Sequence, residues 1–285
     1  MNVTESDKSV VLSFDRGTLV LTGVARAEVP EVGAGGAWRW DGRVGAWRCE
    51  AIHYASVSRA LSRRWGTRFR DAVMKPEAVC WPEVSLPKLR SYQTEAAAAW
   101  EQAGGRGQII MPTGTGKTEV ALAIMARTKI ATLVVAPVRD LMYQWHRRIL
   151  SALGYDAGIV GDGLMNLKPV TVTTYDSAYI HMARIGAGFG LLVFDEEHHL
   201  PGRCRREAAI LSTAPRRLGL TATPPEPGGN PGAPGGSQST RNDAECRVGL
   251  APPKKRWWGK PHPDMERPSS RVNIRLFWFS TTSFL

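Results

Sequence analysis

The 285-residue sequence predicts an α/β fold in which a parallel sheet carries helices on both faces. In the middle of the chain, apolar runs rich in β-branched residues alternate with helical patterns, the order that builds a parallel sheet with crossover helices. A shorter stretch of hairpin signals precedes this region and predicts a small β-rich α+β domain. A stretch rich in proline and glycine follows the region and predicts a disordered tail.

Residues 1–82 make up the predicted β-rich domain. Strand-like runs at 10–14 and 18–22 flank an Arg-Gly turn, and the Asp-Gly pair at 41–42 is a strong hairpin signal. The runs beside that pair carry three tryptophans that we expect in the domain core: Trp38, Trp40 and Trp47.

A helical pattern near residues 55–65 ends the recognisable part of this domain. Its apolar stripe contains Val57, Leu61 and Trp65, and three arginines lie off the stripe: Arg59, Arg63 and Arg64. Two interpretations stay open, because such a basic face either contacts a DNA backbone or is simply solvated.

Residues 83–224 make up the larger predicted domain, which is organised around the stretch 107–120. An apolar run leads into a loop with Gly114 and Gly116, which is followed by Lys117, Thr118 and a helical pattern. That order is typical of a phosphate-cradling P-loop, although Met111 stands where the strict pattern has glycine. The alternative is a glycine- and threonine-rich turn that binds nothing.

In a P-loop, the backbone of the loop closes around nucleotide phosphates at the positive end of the following helix. We therefore expect nucleotide contacts from Thr113, Gly114, Thr115, Gly116, Lys117 and Thr118. Lys117 would reach the β- and γ-phosphates, and the Thr118 hydroxyl would hold Mg²⁺.

Further strand-like runs occur at residues 131–136, 169–174, 191–194 and 217–220. The polar motifs fall at the ends of such runs, as expected where strand ends form a shared site. After the third, Asp195 is expected to hold Mg²⁺ and Glu196 to orient and deprotonate an attacking water. A surface acidic run is the alternative for these carboxylates. His198 either couples this site to Thr221 and Thr223 after the fourth run, or has only a supporting role.

The composition shows an excess of basic residues and a cysteine pattern typical of a reducing compartment. A net charge of +11 fits a polyanionic partner, most simply nucleic acid, with a merely soluble basic protein as the alternative. The four cysteines are widely spaced, which argues against a zinc site and for a cytosolic compartment. Since no signal peptide and no apolar run of spanning length is evident, we expect a cytoplasmic protein without a membrane partner.

Taken together, the motifs resemble those of superfamily 2 helicases of the DEAH/DEAD-like kind. Thr-Gly-Thr-Gly-Lys-Thr at 113–118, Asp-Glu-Glu-His at 195–198 and Thr-Ala-Thr at 221–223 resemble motifs I, II and III. Residues 135–137 with 144–145 resemble motif Ia, residues 173–175 motif Ib, and Tyr92-Gln93 the Q motif. The strand turn at 15–19 and the Trp-Asp hairpin make the first domain similar to the damage-recognition domain of the XPB-type group.

This resemblance implies a RecA-like P-loop lobe that uses ATP and Mg²⁺ and acts on duplex DNA. It implies that Gln93 reads adenine, since a glutamine amide both donates and accepts. It also implies that three residues of motifs Ia and Ib lie near the DNA backbone: Arg139, Gln144 and Thr174. A nuclease or another repair protein stays open as a further partner.

Residues 225–285 depart from the family pattern. These motors complete the ATP site with an arginine from a second lobe, in a Gln-x-x-Gly-Arg segment, and nothing after Pro225 resembles it. Such an arginine is worth about 10³–10⁵ in rate, so we expect nucleotide binding with slow hydrolysis and no translocation. One hypothesis is that this stretch is an out-of-frame or truncated read. Translating the downstream nucleotides in the other two frames tests it, because the missing segment should then appear.

Two functional classes therefore remain. The first is the ATP-binding lobe of an XPB-like, DNA-dependent ATPase with an N-terminal DNA-contact domain. The second is a non-catalytic ATP- and DNA-binding module or a truncated remnant. A P-loop small-molecule kinase is disfavoured, because no lid segment is evident and the two later motifs at successive strand ends suit coupling to a polymer.

Overall fold

A computed structural model of the chain describes residues 9–28, 38–196, 203–222 and 273–275. The described residues form two sheets, one of five strands and one of eight. Of the predicted tail, residues 225–285, only residues 273–275 are described. Residues 197–202, after Glu196, are also outside the described ranges.

The five-stranded sheet belongs to the small N-terminal domain. Its strands are β1 (Val10–Asp15), β2 (Thr18–Thr22), β3 (Arg39–Asp41), β4 (Ala46–Glu50) and β5 (Phe69–Asp71). They lie in the order β3-β4-β2-β1-β5, with both predicted hairpins present. Strand β5 was not predicted. It pairs parallel to β1 and returns the chain to the sheet after helix α1 (Tyr54–Trp65).

Helix α1 and the tryptophans build the core of this domain, as predicted. Val57 and Leu61 are fully buried, and Trp38 and Trp47 are nearly so. Trp40 is half-buried and meets Trp47 edge-on, with 5.4 Å between ring centroids. The arginines of the opposite helix face are exposed: Arg59, Arg63 and Arg64.

The eight-stranded sheet forms the larger domain. Its strands are β6 (Arg106–Ile110), β7 (Thr132–Ala136), β8 (Gly158–Gly161), β9 (Leu164–Asn166), β10 (Val170–Thr174), β11 (Leu191–Phe194), β12 (Arg216–Thr221) and β13 (Asn273–Arg275). The order is β13-β6-β12-β11-β7-β10-β8-β9. The six inner strands run parallel, and an antiparallel strand closes each edge.

Helices cover both faces of this sheet. They are α2 (Ser91–Gln102), α3 (Lys117–Thr128), α4 (Arg139–Leu153), α5 (Tyr175–Ile185) and α6 (Arg203–Ile210). Val134 of β7 packs in the cluster formed with α2, α3 and α4, whereas its neighbours Leu133 and Val135 pack with α5 and α6. Because successive strand residues point to opposite faces, this alternation places helices on both sides. The predicted fold class is confirmed.

The segment between the domains packs against the larger one before the predicted boundary at residue 82. The N–H of Val79 donates to the carbonyl of Lys129 at 2.9 Å, and the N–H of Ala131 donates to the carbonyl of Glu77 at 2.8 Å. The two domains also touch directly, since Ala187 packs in the core cluster of the small domain.

Among the described residues, none of the helices combines the length and the apolar character that a membrane crossing needs.

Candidate functional site

The candidate site lies at the carboxyl edge of the larger sheet, where several parallel strands end together. The P-loop follows β6, Asp195 follows β11, and Thr221 closes β12. The start of the P-loop and the end of β12 are joined directly, since the N–H of Met111 donates to the carbonyl of Thr221 at 3.0 Å. Ligands of open α/β sheets bind at this edge, so the sheet brings the predicted motifs to the expected place.

The P-loop turns sharply into the N-terminus of α3. Gly114 and Gly116 have φ angles of 79° and 85°, in the left-handed region that side chains disfavour. Gly116 is the N-cap of α3, so the first N–H groups of the helix face the loop. A helix start of this kind binds anions through its N–H groups and its dipole.

Lys117 is the first residue of α3 and is only 8% exposed. Its Nζ donates to the carbonyl of Met111 at 3.1 Å and lies 3.7 Å from Oε1 of Glu196. Met111 therefore contacts Lys117 through its backbone carbonyl, while its side chain is fully buried in the core. Lys117 thus connects the P-loop to the end of β11.

Asp195, directly after β11, is fixed by hydrogen bonds to both its backbone and its side chain. Its N–H donates to the carbonyl of Val135 at 2.9 Å, and its carbonyl accepts from the hydroxyl of Tyr175 at 3.0 Å. Its Oδ2 accepts from the indole Nε1 of Trp145 at 2.8 Å, and its Oδ1 accepts from the N–H of Glu196 at 3.1 Å. Glu196 itself has a φ of 49°, uncommon for a residue other than glycine.

The surroundings of Asp195 suit a cation. Burial raises the pKa of its carboxyl, the Trp145 hydrogen bond lowers it, and the neighbouring Glu196 charge raises it again, with a net increase. A divalent cation beside this group would stabilise its charged form. Carboxylate and hydroxyl oxygens are ligands that Mg²⁺ accepts, so Asp195 and Thr118 fit the expected ion.

Gln93 supports the P-loop from α2. Its Oε1 accepts from the N–H of Arg90 at 2.8 Å, and its Nε2 donates to the carbonyl of Thr115 at 2.9 Å. The hydroxyl of Tyr92 donates to the same carbonyl at 3.1 Å. Its Nε2 also donates to the carbonyl of Gly116 at 3.4 Å, so these contacts leave only a further lone pair of Oε1 for the predicted adenine contact.

The residues predicted to lie near DNA are at the starts of α4 and α5. Arg139 is exposed, with its Nη1 3.2 Å from Oδ1 of Asp162, and Gln144 is exposed on α4. Thr174 caps α5, because its hydroxyl accepts from the N–H of Ser177 at 3.2 Å.

Of the three predicted coupling residues, Thr221 is 1% exposed at the end of β12. His198 and Thr223 lie outside the described residues.

Sequence reasoning did not assign the two aromatic residues that hold Asp195. Trp145 and Tyr175 belong to the stretches that resemble motifs Ia and Ib, but no role was predicted for either side chain. The available signal was chemical, because the N–H or O–H of a buried aromatic residue needs a partner. That partner lies 50 residues from Trp145 and 20 from Tyr175, so sequence spacing did not reveal it.

Two family models match the chain, one on each domain. Residues 12–73 match the Xeroderma pigmentosum group B helicase damage recognition domain. Residues 86–226 match the type III restriction enzyme, res subunit. The chain belongs to the XPB-type helicases of superfamily 2. The predicted resemblance is thereby confirmed. The first matched segment contains most of the five-stranded sheet, and the second contains every strand of the larger sheet except β13.

Curated relatives carry the same family name. The DNA 3'-5' translocase XPB2 of Sulfurisphaera tokodaii is 52% identical over 137 residues, which is 48% of this chain and 31% of the relative. The DNA 3'-5' helicase XPB of Mycobacterium tuberculosis is 34% identical over 147 residues, which is 48% of this chain and 26% of the relative. The XPB-type chain thus spans less than a third of the length of these two proteins.

Solved structures of helicase and translocase cores are also similar. The SWI2/SNF2 ATPase core of Sulfolobus solfataricus in complex with dsDNA aligns with a TM-score of 0.45 and 18% identity, covering 52% of this chain and 35% of that one. The UvsW helicase of bacteriophage T4 aligns with a TM-score of 0.43 and 15% identity, covering 75% of this chain and 92% of that one.

Proposed function

We propose that this XPB-type chain binds ATP with Mg²⁺ at the carboxyl edge of the larger sheet and binds duplex DNA beside that site. The observation that carries the proposal is the approach of Lys117 to Glu196, 3.7 Å between Nζ and Oε1. It joins the phosphate-binding loop to the acidic pair after β11 in one partly buried site.

Each residue of the site then has a distinct role. The loop from Thr113 to Gly116 and the N–H groups of α3 surround the phosphates, and Lys117 neutralises the β- and γ-phosphates. When bound, Mg²⁺ would offset the negative charge of the phosphates. Thr118 and Asp195 would hold that ion, and Glu196 would orient a water molecule and accept its proton.

DNA binding rests on charge and on the family. Exposed basic side chains occur on α1 of the small domain and at Arg139 of the larger one, within a chain of net charge +11. Such groups bind phosphate backbones without reading sequence. The relatives are named as a DNA translocase and a DNA helicase. A nuclease or another repair protein remains a further proposed partner.

Slow turnover is the second part of the proposal. Since nothing after Pro225 in this sequence resembles the Gln-x-x-Gly-Arg segment, the 285-residue chain measured alone should bind ATP and hydrolyse it slowly. The same observation favours the second candidate function, a non-catalytic ATP- and DNA-binding module.

ATP hydrolysis with and without duplex DNA separates the two candidates. The measurement compares the chain with Lys117→Ala and Glu196→Gln. Slow turnover that DNA stimulates and that both substitutions abolish supports the DNA-dependent ATPase. ATP binding that Lys117→Ala weakens, without turnover in any variant, supports the non-catalytic module. If the parent chain binds neither ATP nor DNA, both candidates are rejected.

A further inference from the structure

Trp145 makes a polar contact that its place in a helical apolar stripe does not require. It lies in the middle of α4 and is 3% exposed, packed in the core between α4 and the sheet. Its indole N–H points at the end of β11 and donates to Oδ2 of Asp195 at 2.8 Å. A buried indole therefore contacts the carboxylate that the proposed function assigns to Mg²⁺.

The other contacts of Asp195 leave its side-chain orientation to two donors. Val135 and Tyr175 fix its backbone through the N–H and the carbonyl. The N–H of Glu196 holds Oδ1, and Trp145 holds Oδ2. Two donors on the two oxygens define the plane of the carboxylate, and the remaining lone pairs point in fixed directions.

We propose that Trp145 is a positioning residue for the magnesium site, which orients Asp195 through its indole N–H. The proposal rests on the proposed function, because it assumes that Asp195 binds the ion of a bound nucleotide. Groups that orient a metal ligand in this way typically change metal affinity or activity about 10–100-fold when they are removed.

The position of α4 gives this contact a second consequence. The residue before Trp145 is Gln144, which is exposed, and Arg139 at the start of the helix is exposed as well. One helix therefore presents two of the three residues proposed to lie near DNA on its outer side and the donor to Asp195 on its inner side. A shift of α4 on DNA binding would move the orientation of Asp195 with it.

Trp100 offers a matched control for the bulk and burial of the indole. It is 1% exposed, belongs to the same core cluster as Trp145, and donates its Nε1 to the carbonyl of Arg217 at 3.0 Å. Arg217 lies near the start of β12, at the edge of the sheet opposite the site. Replacing either tryptophan by phenylalanine removes a buried N–H and creates a similar void, but only one change reaches Asp195.

The test measures how Mg²⁺ promotes binding of a fluorescent N-methylanthraniloyl ATP to the full chain, without requiring turnover. Trp145→Phe should raise the Mg²⁺ concentration for half-maximal binding about 10-fold, while binding without Mg²⁺ stays as in the parent. Trp100→Phe should leave the Mg²⁺ dependence unchanged. A benzothienylalanine placed at position 145 keeps the indole shape without the N–H and should behave like Trp145→Phe.

Unchanged Mg²⁺ dependence in both position-145 variants would overturn the proposal, as would an equal change in Trp100→Phe. If Trp145→Phe loses its helical circular dichroism, the benzothienylalanine variant decides. A parent chain that binds the nucleotide without any Mg²⁺ dependence, or does not bind it, rejects the proposed magnesium site itself. That result is distinguishable from failure of the Trp145 proposal alone, in which nucleotide binding by the parent and by the variants depends equally on Mg²⁺.

Discussion

Lys117 and Glu196 form an ion pair between two different strand ends, with Nζ 3.7 Å from Oε1 and both side chains largely withdrawn from solvent. The lysine begins α3 after β6, and the glutamate follows β11, with β12 between these strands in the sheet. A nucleotide phosphate at the P-loop would compete with Glu196 for the ammonium group. The pair therefore links the phosphate site to the residue proposed to activate water.

Glu196→Gln should strengthen ATP binding slightly and abolish any hydrolysis. Removing the carboxylate frees Lys117 for phosphate, and partly exposed ion pairs are worth about 0.2–1 kcal/mol, which corresponds to a gain of up to about 5-fold. Isothermal titration of ATP with Mg²⁺ measures it. Glu101→Gln, which breaks the exposed pair with Arg127 away from the P-loop, serves as the control and should change nothing. Weaker ATP binding in Glu196→Gln would contradict this account of the pair.

Gly116→Ala should destabilise the protein more than Gly114→Ala. Both positions have left-handed backbone, where a Cβ costs about 1–2 kcal/mol. At Gly116 the added Cβ would also lie 2.3 Å from Nε2 of Gln93, whereas at Gly114 it meets nothing within 4 Å. Relieving that clash breaks the hydrogen bond from Gln93 to Thr115.

Urea denaturation of the two glycine variants measures the difference, and we expect Gly116→Ala to lose about 1 kcal/mol more, the value of one hydrogen bond. Equal losses would mean that Gln93 moves freely and does not support the loop.

Arg139→Gln should lower the salt dependence of duplex DNA binding. If the arginine neutralises one phosphate, the slope of log affinity against log salt should fall by about 1. Arg127→Gln is the matched control, because that arginine is also exposed and paired, with Nη2 3.1 Å from Glu101, but sits at the end of α3 away from the site. Fluorescence anisotropy with a labelled duplex at several salt concentrations measures both slopes. Identical slopes in the two variants would remove Arg139 from the DNA surface.

Asp71 should make the stability of the small domain depend on acid pH. Burial raises the pKa of its carboxyl, but hydrogen bonds from Lys75, Ser58 and Tyr54 lower that pKa by a larger amount. The net effect is a decrease. A lowered folded pKa gives stability that is fully present above the unfolded value of about 3.9 and is lost as the pH falls through the folded pKa.

Asp71→Asn should therefore cost about 1–3 kcal/mol at pH 7 and much less near pH 2. Thermal unfolding of parent and variant across this range measures the convergence. Glu28→Gln, an exposed change in the same domain, should show no such convergence. A constant difference between Asp71→Asn and the parent at all pH values would contradict the assignment.

The sequence predicted the central strands and the P-loop because their signals are local. Residues 132–136 and 191–194 are short apolar runs, and they are buried strands in the structure. Strands β5 and β8 were missed for a physical reason. The first has three residues with two charges, and the second begins and ends in glycine, so neither carries a clear β signal.

The site was predictable only as a set of motifs. Lys117 and Asp195 follow from patterns, but the contact between Trp145 and Asp195 depends on how α4 packs on the sheet. Gln93 shows the same limit, since its hydrogen bond to Thr115 spans 22 residues and two elements. Side-chain hydrogen bonds across a packed core are set by tertiary geometry, which periodicity does not encode.

The most direct test of the nucleotide site is isothermal titration of ATP with Mg²⁺ into the parent chain, Lys117→Ala and the exposed control Lys88→Ala. We expect measurable binding by the parent and by Lys88→Ala, and at least about 10-fold weaker binding by Lys117→Ala, equivalent to about 1.4 kcal/mol. Parent-like affinity in a folded Lys117→Ala variant would contradict this expectation, because the buried ammonium group would then not contact the phosphates.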